Sequence, residues 1–319
     1  SLLTGDSAVG RNIGIPLVSV VDGDWDVVVA EVSSFQLETT VNFRPWAAIL
    51  LNITPDHLDR YPTFAEYVAA KRRLFQNQTA TELAVLNRDD PVVWGLADQV
   101  KATILPVSLS EPGCVGSLAD DVLVAHLPDR PPQPICRLDD LPLRGRHYVT
   151  DTLCAGVVAA AAGCTSAALT AAVRAWRPAP HLLTEVAVVQ GVRFIDDSKA
   201  TNPAAAAADL DGLPGPLWVI AGGHSKDLDL RPFAETLAQR AAGVFLIGTA
   251  AAELAGHLAG RVPVTHCPDI EHAVQSAFAA ARAGDTVVLA PACASFDQFR
   301  SQAERGERFA AAVRGLPTV

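Results

Sequence analysis

Three polar segments follow apolar runs, and each brings side chains that could handle a metal-bound phosphate. The first is Ala30-Glu31-Val32-Ser33-Ser34-Phe35-Gln36-Leu37-Glu38. The carboxyl ends of strands form the ligand crevice of an open α/β sheet, so an acid and two hydroxyls there suit a divalent cation and its phosphate. The alternative is a strand exit followed by a helix capped by Ser34. The second segment, Leu50-Leu51-Asn52-Ile53-Thr54-Pro55-Asp56-His57-Leu58-Asp59-Arg60, brings an imidazole to another strand end. His57 could ligate a cation or touch a phosphate, or it could be a solvated loop histidine. The third is Lys71 in Val68-Ala69-Ala70-Lys71-Arg72-Arg73, on a helical stretch that otherwise uses arginine. A solvated helix face is its ordinary role.

Composition sharpens the third segment. Of 25 basic residues only four are lysine: Lys71, Lys101, Lys199 and Lys226. Lysine can lose its proton and be chemically modified, whereas arginine stays charged, so the remaining lysines are candidates for chemistry. A net charge of −10 argues against nucleic acid and against an anionic membrane as partner, and leaves anionic small molecules open. The six cysteines form no C-x-x-C pair and have no metal-ligand spacing with histidine, which predicts free thiols in a reducing compartment. No basic region followed by an apolar run and a cleavage site opens the chain, so a cytoplasmic protein is expected. Residues 152–173 carry no charge, but they are rich in alanine and broken by Gly163, Thr165, Ser166 and Thr170. Two short buried helices are predicted there, with no membrane insertion.

The elements that must position these residues read as α/β. Apolar runs at 26–30, 46–51, 82–86, 217–221, 243–247 and 286–290 suit strands buried on both faces of a parallel sheet. Helical patterns at 63–75 and 231–242 fall between them. Residues 101–146, with Pro, Gly and short alternating stretches such as 122–127, predict a small antiparallel elaboration. Arg177-Pro178-Ala179-Pro180 is the best linker, and at roughly 150 residues per domain the 319 residues suggest two domains, 1–178 and 179–319.

Together with four further strings, the three segments resemble the Mur ligases of peptidoglycan synthesis, and within them the branch that adds D-glutamate. The strings are Gly10-Arg11-Asn12-Ile13-Gly14, Asp196-Asp197-Ser198-Lys199-Ala200-Thr201-Asn202, Gly222-Gly223-His224-Ser225-Lys226 and Pro291-Ala292-Cys293-Ala294-Ser295-Phe296-Asp297-Gln298-Phe299. The resemblance runs in order from residue 10 to residue 306. It implies an α/β architecture with a central P-loop-NTPase-like, mostly parallel sheet domain, here incomplete, followed by a Rossmann-like C-terminal amino-acid-binding domain. The implied reaction is ATP-dependent addition of D-glutamate to UDP-N-acetylmuramoyl-L-alanine through an acyl phosphate.

The resemblance also implies residue roles. Glu31 would hold the magnesium that bridges the nucleotide phosphates, with His57 and Lys71 on a second magnesium and Lys71 carbamylated. Asn12, Ser33 and Gln36 would line the muramoyl-alanine site. Asp197 would meet the ATP ribose, with Lys199 beside it and Asp151 at the position that contacts nucleotide. Thr201, Lys226, Ser295 and Phe296 would form the D-glutamate pocket. Lys101 falls on no motif and is expected at the surface. A monomer is expected.

Some positions depart from the pattern. The 319 residues contain no G-x-x-x-x-G-K-[ST] phosphate loop. The family carries that loop shortly before the Asn12 motif, so the chain is expected to be a partial ligase lacking the uridine diphosphate domain. Tyr148 and Asp151 stand where the family usually has asparagines, and Leu182 and Thr184 where it has an arginine and a glutamate. Gln302 replaces a frequent aromatic near the glutamate pocket. Two other readings stay open: a truncated, non-catalytic paralogue with a binding or regulatory role, and a ligase for a different amino acid.

Overall fold

Short, largely apolar runs become most of the strands. A computed structural model describes residues 7–10, 15–58, 60–143 and 145–317. The chain divides into two compact units: Ser1–Pro55 with Arg60–Arg177, and Pro178–Val319 with Asp56–Asp59.

In the first unit, β1 (Ser7–Gly10) and β2 (Val27–Ala30) pair in parallel. After α1 (Ser34–Glu38) comes a six-stranded sheet in the order β3 (Ala47–Leu50), β4 (Leu83–Asn87), β5 (Thr103–Val107), β6 (Gly116–Ala119), β7 (Val122–Ala125) and β8 (Gln133–Arg137). The pairs from β3 to β6 are parallel, and β6, β7 and β8 are antiparallel. The antiparallel elaboration therefore starts at residue 116, because 103–107 joins the parallel set as β5. Side chains alternate across β4: Val85 packs into a core with α4 (Arg146–Ala161) and α5 (Ser166–Ala175), while Ala84 and Leu86 join Tyr67 and Ala70 of α2 (Phe64–Arg72) and Val93 of α3 (Pro91–Trp94).

The uncharged stretch is α4 from Thr152 onward and α5 up to Val173, separated at Gly163, whose φ of +92° is a backbone state open to glycine. The first helix begins at Arg146, earlier than the uncharged run, and its first six residues, 146–151, include the charged Arg146 and Asp151. No helix among the described residues is long and apolar enough to cross a membrane. The predicted helix 63–75 is α-helical to Arg72 and tightens into a 3₁₀ turn at Arg73–Phe75.

The second unit is a six-stranded sheet in the order β13 (Val264–His266), β12 (Ala241–Ile247), β11 (Leu217–Gly222), β14 (Thr286–Leu289), β10 (Val192–Asp196), β9 (Thr184–Val189). All pairs are parallel except β9 with β10. Leu217, Val219 and Ala221 face one core with α6 (Pro203–Gly212), α7 (Arg231–Arg240) and α8 (Ala251–Leu258). Ile220, Val287 and Leu289 face the other with α9 (Ile270–Ala280) and α10 (Gln302–Arg314). The sheet is thus covered on both faces, as its unalternating apolar strands require. Helix α7 stops at Arg240, two residues short of the expected end, because Ala241 pairs with Leu217 and begins β12.

Candidate functional site

The second unit gathers three polar loops at one end of its sheet. Strands β11, β14 and β10 are adjacent and parallel, so the loops that leave their carboxyl ends must lie side by side. Backbone bonds tie them. Ala292 N–H donates to the Ala200 carbonyl (3.0 Å), Gly222 N–H to Pro291 (3.0 Å), and His224 and Ala294 exchange both bonds at 2.9 Å. Asp197, Lys199 and Thr201 sit on the loop after β10, Lys226 on that after β11, and Ser295 and Phe296 on that after β14. The close approach needs Gly223: a Cβ there would fall 2.3 Å from the Ala294 carbonyl oxygen. Lys226 and Ala292 are held at φ of +55° and +59°, strained states for residues with a side chain, of a kind that clusters at functional sites. Lys226 is partly exposed, Ser295 is buried, and Phe296 stands 75% exposed. An ammonium and two hydroxyl-bearing loops on one sheet end suit a ligand with more than one anionic group.

Asp197 lies differently from its expected role. It is fully buried, and Leu183 N–H donates to its Oδ1 (3.2 Å). Burial, then the neighbouring carboxyl of Asp209 on α6, raises its pKa far above the usual carboxylate range. The side chain is therefore turned into the unit, and a ribose hydroxyl could reach it only after rearrangement. Asp196 beside it takes His181 Nδ1 at 2.7 Å. Gly306 of α10 makes room for that pair, since a Cβ would sit 2.2 Å from His181 Nδ1 and 2.6 Å from Asp196 Oδ2. Lys199 points outward, its N–H bonded to the His181 carbonyl (3.0 Å). Burial pushes the Cys293 thiol up to about 12, so it is no nucleophile at neutral pH.

In the first unit, Ser33, not Ser34, caps α1, and this corrects the helix start expected from sequence. Gln36 N–H donates to Ser33 Oγ (3.2 Å), while Ser33 N–H and Oγ–H donate to Gln36 Oε1 (2.9 and 3.0 Å). The choice follows from φ and ψ: Ser33 is extended and Ser34 already helical and buried. Ser33 and Gln36, both expected to line a substrate site, thus lock one another. Downstream, Arg60 Nη2 donates to Glu38 at 2.6 Å and Tyr61 Oη–H donates to the same carboxylate, holding Glu38 below its ordinary pKa. Phe35, Tyr61 and Tyr67 form an aromatic column (centroids 6.0 and 5.3 Å apart). At its end the Lys71 ammonium lies 5.1 Å over the Tyr67 ring. Arg73 then fastens the α2 end to α1 through the carbonyls of Leu37 (2.8 Å) and Thr40 (2.6 Å). Helix α1, Arg60-Tyr61 and the Tyr67–Lys71 side of α2 are therefore one packed group.

The donor chemistry for a hard cation is present only in part. Glu31 is exposed at the end of β2, its N–H bonded to the Gly10 carbonyl (2.9 Å). His57 sits at φ +55° with its N–H on Asp56 Oδ1 (2.8 Å). Among the described residues no group of three or more His, Cys, Asp or Glu is arranged to hold a metal. Magnesium takes oxygen ligands, so the Glu31 carboxylate suits it by type, whereas the unmodified Lys71 ammonium does not. Asp151 is partly buried on α4, away from these loops in sequence, and burial pushes its carboxyl up to about 6. Asn12 lies outside the described residues. Lys101 is exposed, as expected.

Sequence reasoning missed three residues. His181 and Asp209 could have been suspected only from their partners, which are distant in sequence. Arg305, the largest fully buried side chain among the described residues, was not singled out from the sequence at all. A glycine directly after an arginine inside that helix was the available hint.

Comparison with known proteins follows the same division. Residues 7–159 match the Mur ligase middle domain, and residues 183–293 match the Mur ligase glutamate ligase domain. The UDP-N-acetylmuramoylalanine–D-glutamate ligase of Solibacter usitatus is 44% identical over 315 residues, covering 97% of this chain and 69% of that protein. The protein of the same name from Acidobacterium capsulatum is 41% identical, covering 94% of this chain and 66% of its own length. The chain thus spans about two thirds of these relatives. Among solved structures, MurF ligase from Thermotoga maritima in complex with ADP superposes with a TM-score of 0.68 at 16% identity, over 98% of this chain and 81% of that one. At that identity the likeness concerns the fold.

Proposed function

We propose a function from one premise: the chain belongs to the Mur ligase family, the ATP-dependent amide-bond ligases. It is the catalytic middle and amino-acid-binding part of a ligase that joins D-glutamate to UDP-N-acetylmuramoyl-L-alanine in peptidoglycan synthesis. The observation that carries this reading is the set of three interlocked loops after β10, β11 and β14, which offer Lys226, Thr201 and Ser295 to a dicarboxylate. The alanyl carboxylate takes the γ-phosphoryl group of ATP, forming an acyl phosphate and releasing ADP. The D-glutamate amine then attacks the acyl carbon. A C–N bond forms, the C–O bond to phosphate breaks, phosphate leaves with the electron pair, and the amine loses a proton to water. The protein's work is positioning: Lys226 and the hydroxyls hold the two carboxylates so that the amine faces the acyl group.

By the family resemblance Glu31 would be a ligand of one magnesium, and His57 and carbamylated Lys71 would be ligands of a second; magnesium would supply charge neutralisation on the transferring phosphoryl group. Carbamylation joins the neutral Lys71 Nζ to carbon dioxide with loss of a proton, and the Tyr67 face lies against the amine that must first deprotonate. The 319 residues hold no phosphate loop. We place the enzyme in the cytoplasm as a monomer, with free cysteines suited to a reducing compartment.

The test uses the complete reading frame that contains this chain. Phosphate release should require UDP-N-acetylmuramoyl-L-alanine, ATP and D-glutamate together, with the amide product identified by mass. Release with L-lysine, D-alanine or L-glutamate but not D-glutamate would reassign the amino acid. No release with any of them would leave a non-catalytic paralogue.

A further inference from the structure

Arg305, on α10, is 0% exposed. Its guanidinium donates from Nε to Ser198 Oγ (2.9 Å), from Nη2 to the Ser198 carbonyl (2.9 Å) and from Nη1 to the Cys293 carbonyl (3.0 Å). Ser198 Oγ–H passes the chain on to the Gln302 carbonyl (2.7 Å), in the first turn of the same helix. All these partners are neutral. Asp196, Asp197 and Asp297 act on the charge from farther away, and burial brings the guanidinium down only to about 10, so it stays charged at neutral pH. Burying a cation without a contacting carboxylate is costly, and well-packed apolar side chains often serve a fold as well or better. Stability alone is therefore a weak reason for an arginine here.

What the guanidinium touches suggests the reason. Ser198 precedes Lys199 and lies on the Thr201 loop; Cys293 is two residues before Ser295; and Ala294 between them pairs with His224, two residues before Lys226. One planar fork therefore joins the Ser198 and Cys293 loops directly and reaches the Lys226 loop through the Ala294–His224 pair.

We infer that Arg305 is the positioning residue of the amino-acid pocket, clamping the Ser198 and Cys293 loops so that Thr201, Lys226 and Ser295 present themselves together to D-glutamate. The inference rests on the pocket reading above, so it is tested with and without turnover. In the complete enzyme, Arg305→Lys, which keeps the charge but loses the fork, should raise KM for D-glutamate about tenfold or more while KM for ATP moves less than about twofold. Ser198→Ala should shift it in the same direction by less, and the double variant should be no worse than Arg305→Lys alone. In the 319-residue chain, amide exchange at His224, Ala292 and Ala294 should speed up about tenfold in Arg305→Lys while the amides of β12 are unchanged. Should Arg305→Lys fail to fold, Ser198→Ala carries both measurements. Equal increases in both KM values, lower melting temperature with unchanged D-glutamate KM, or undisturbed exchange at the three amides would overturn the assignment. An inactive wild-type enzyme would instead refute the functional reading, and the exchange result would still decide for or against the clamp.

Discussion

Replacing Asp151 by asparagine should stabilise the first unit at neutral pH and leave it unchanged in acid. Burial lifts this carboxyl from 3.8 to about 6, against a small opposing pull from His147. A folded-state value above the unfolded one means that the native state holds the proton more tightly. The resulting penalty is absent below pH 3.8, grows as pH rises to about 6 and is constant above it. Its full size is about 3 kcal/mol, from 1.36 kcal/mol for each pH unit of displacement. Asparagine has the same shape and cannot ionise, but it still buries an amide, so a gain of about 1–3 kcal/mol at pH 7.5 is expected. The two units can unfold separately, so one global midpoint would mix them. Amide exchange read at the α4 residues Val149, Leu153 and Cys154 isolates the effect. Protection in Asp151→Asn should match wild type at pH 4 and exceed it by about tenfold or more at pH 7.5. An equal gain at both pH values, or a loss at pH 7.5, would refute burial as the cause of the raised carboxyl.

Three further outcomes follow from the same geometry. In the complete enzyme Lys71→Arg should abolish phosphate release, and Lys71→Ala should recover part of it when a short carboxylic acid is added; full activity in Lys71→Arg would exclude a carbamate at this position. Lys226→Ala should raise KM for D-glutamate at least about tenfold more than KM for ATP, since its ammonium is proposed to meet a carboxylate; parallel increases would move the pocket elsewhere. Gly306→Ala should lower the stability of the second unit by about 1–3 kcal/mol in urea unfolding, because the new Cβ overlaps the His181–Asp196 pair; an unchanged midpoint would mean that the pair simply moves aside.

Much of the architecture was legible locally. The runs at 217–221, 243–247 and 286–290 became β11, β12 and β14 because strands buried on both faces must be apolar throughout, a property visible in five consecutive residues. The Gly163 break separated α4 from α5 for an equally local reason. Errors gathered where two local signals compete. Ser33 and Ser34 are equally good caps by type, and only the extended backbone at Ser33, with Gln36 in reach, chose between them. Residues 241–242 continue a helical pattern, yet pairing with β11 drew Ala241 into a strand.

The amino-acid sequence by itself determined which side chains could do chemistry, and that Lys71, Lys199 and Lys226 are three of only four lysines in a chain that otherwise uses arginine. Side-chain type and short-range periodicity are written residue by residue. The tertiary structure alone decided how those groups are held. Arg305 and Ser198 are 107 residues apart, and Asp196 meets His181 across 15. Nothing in either neighbourhood says that a guanidinium will be buried among neutral acceptors, or that Asp197 will face inward beside Asp209. Such pairings depend on which strands the sheet sets side by side, and β14, the last strand in the chain, lies between β10 and β11.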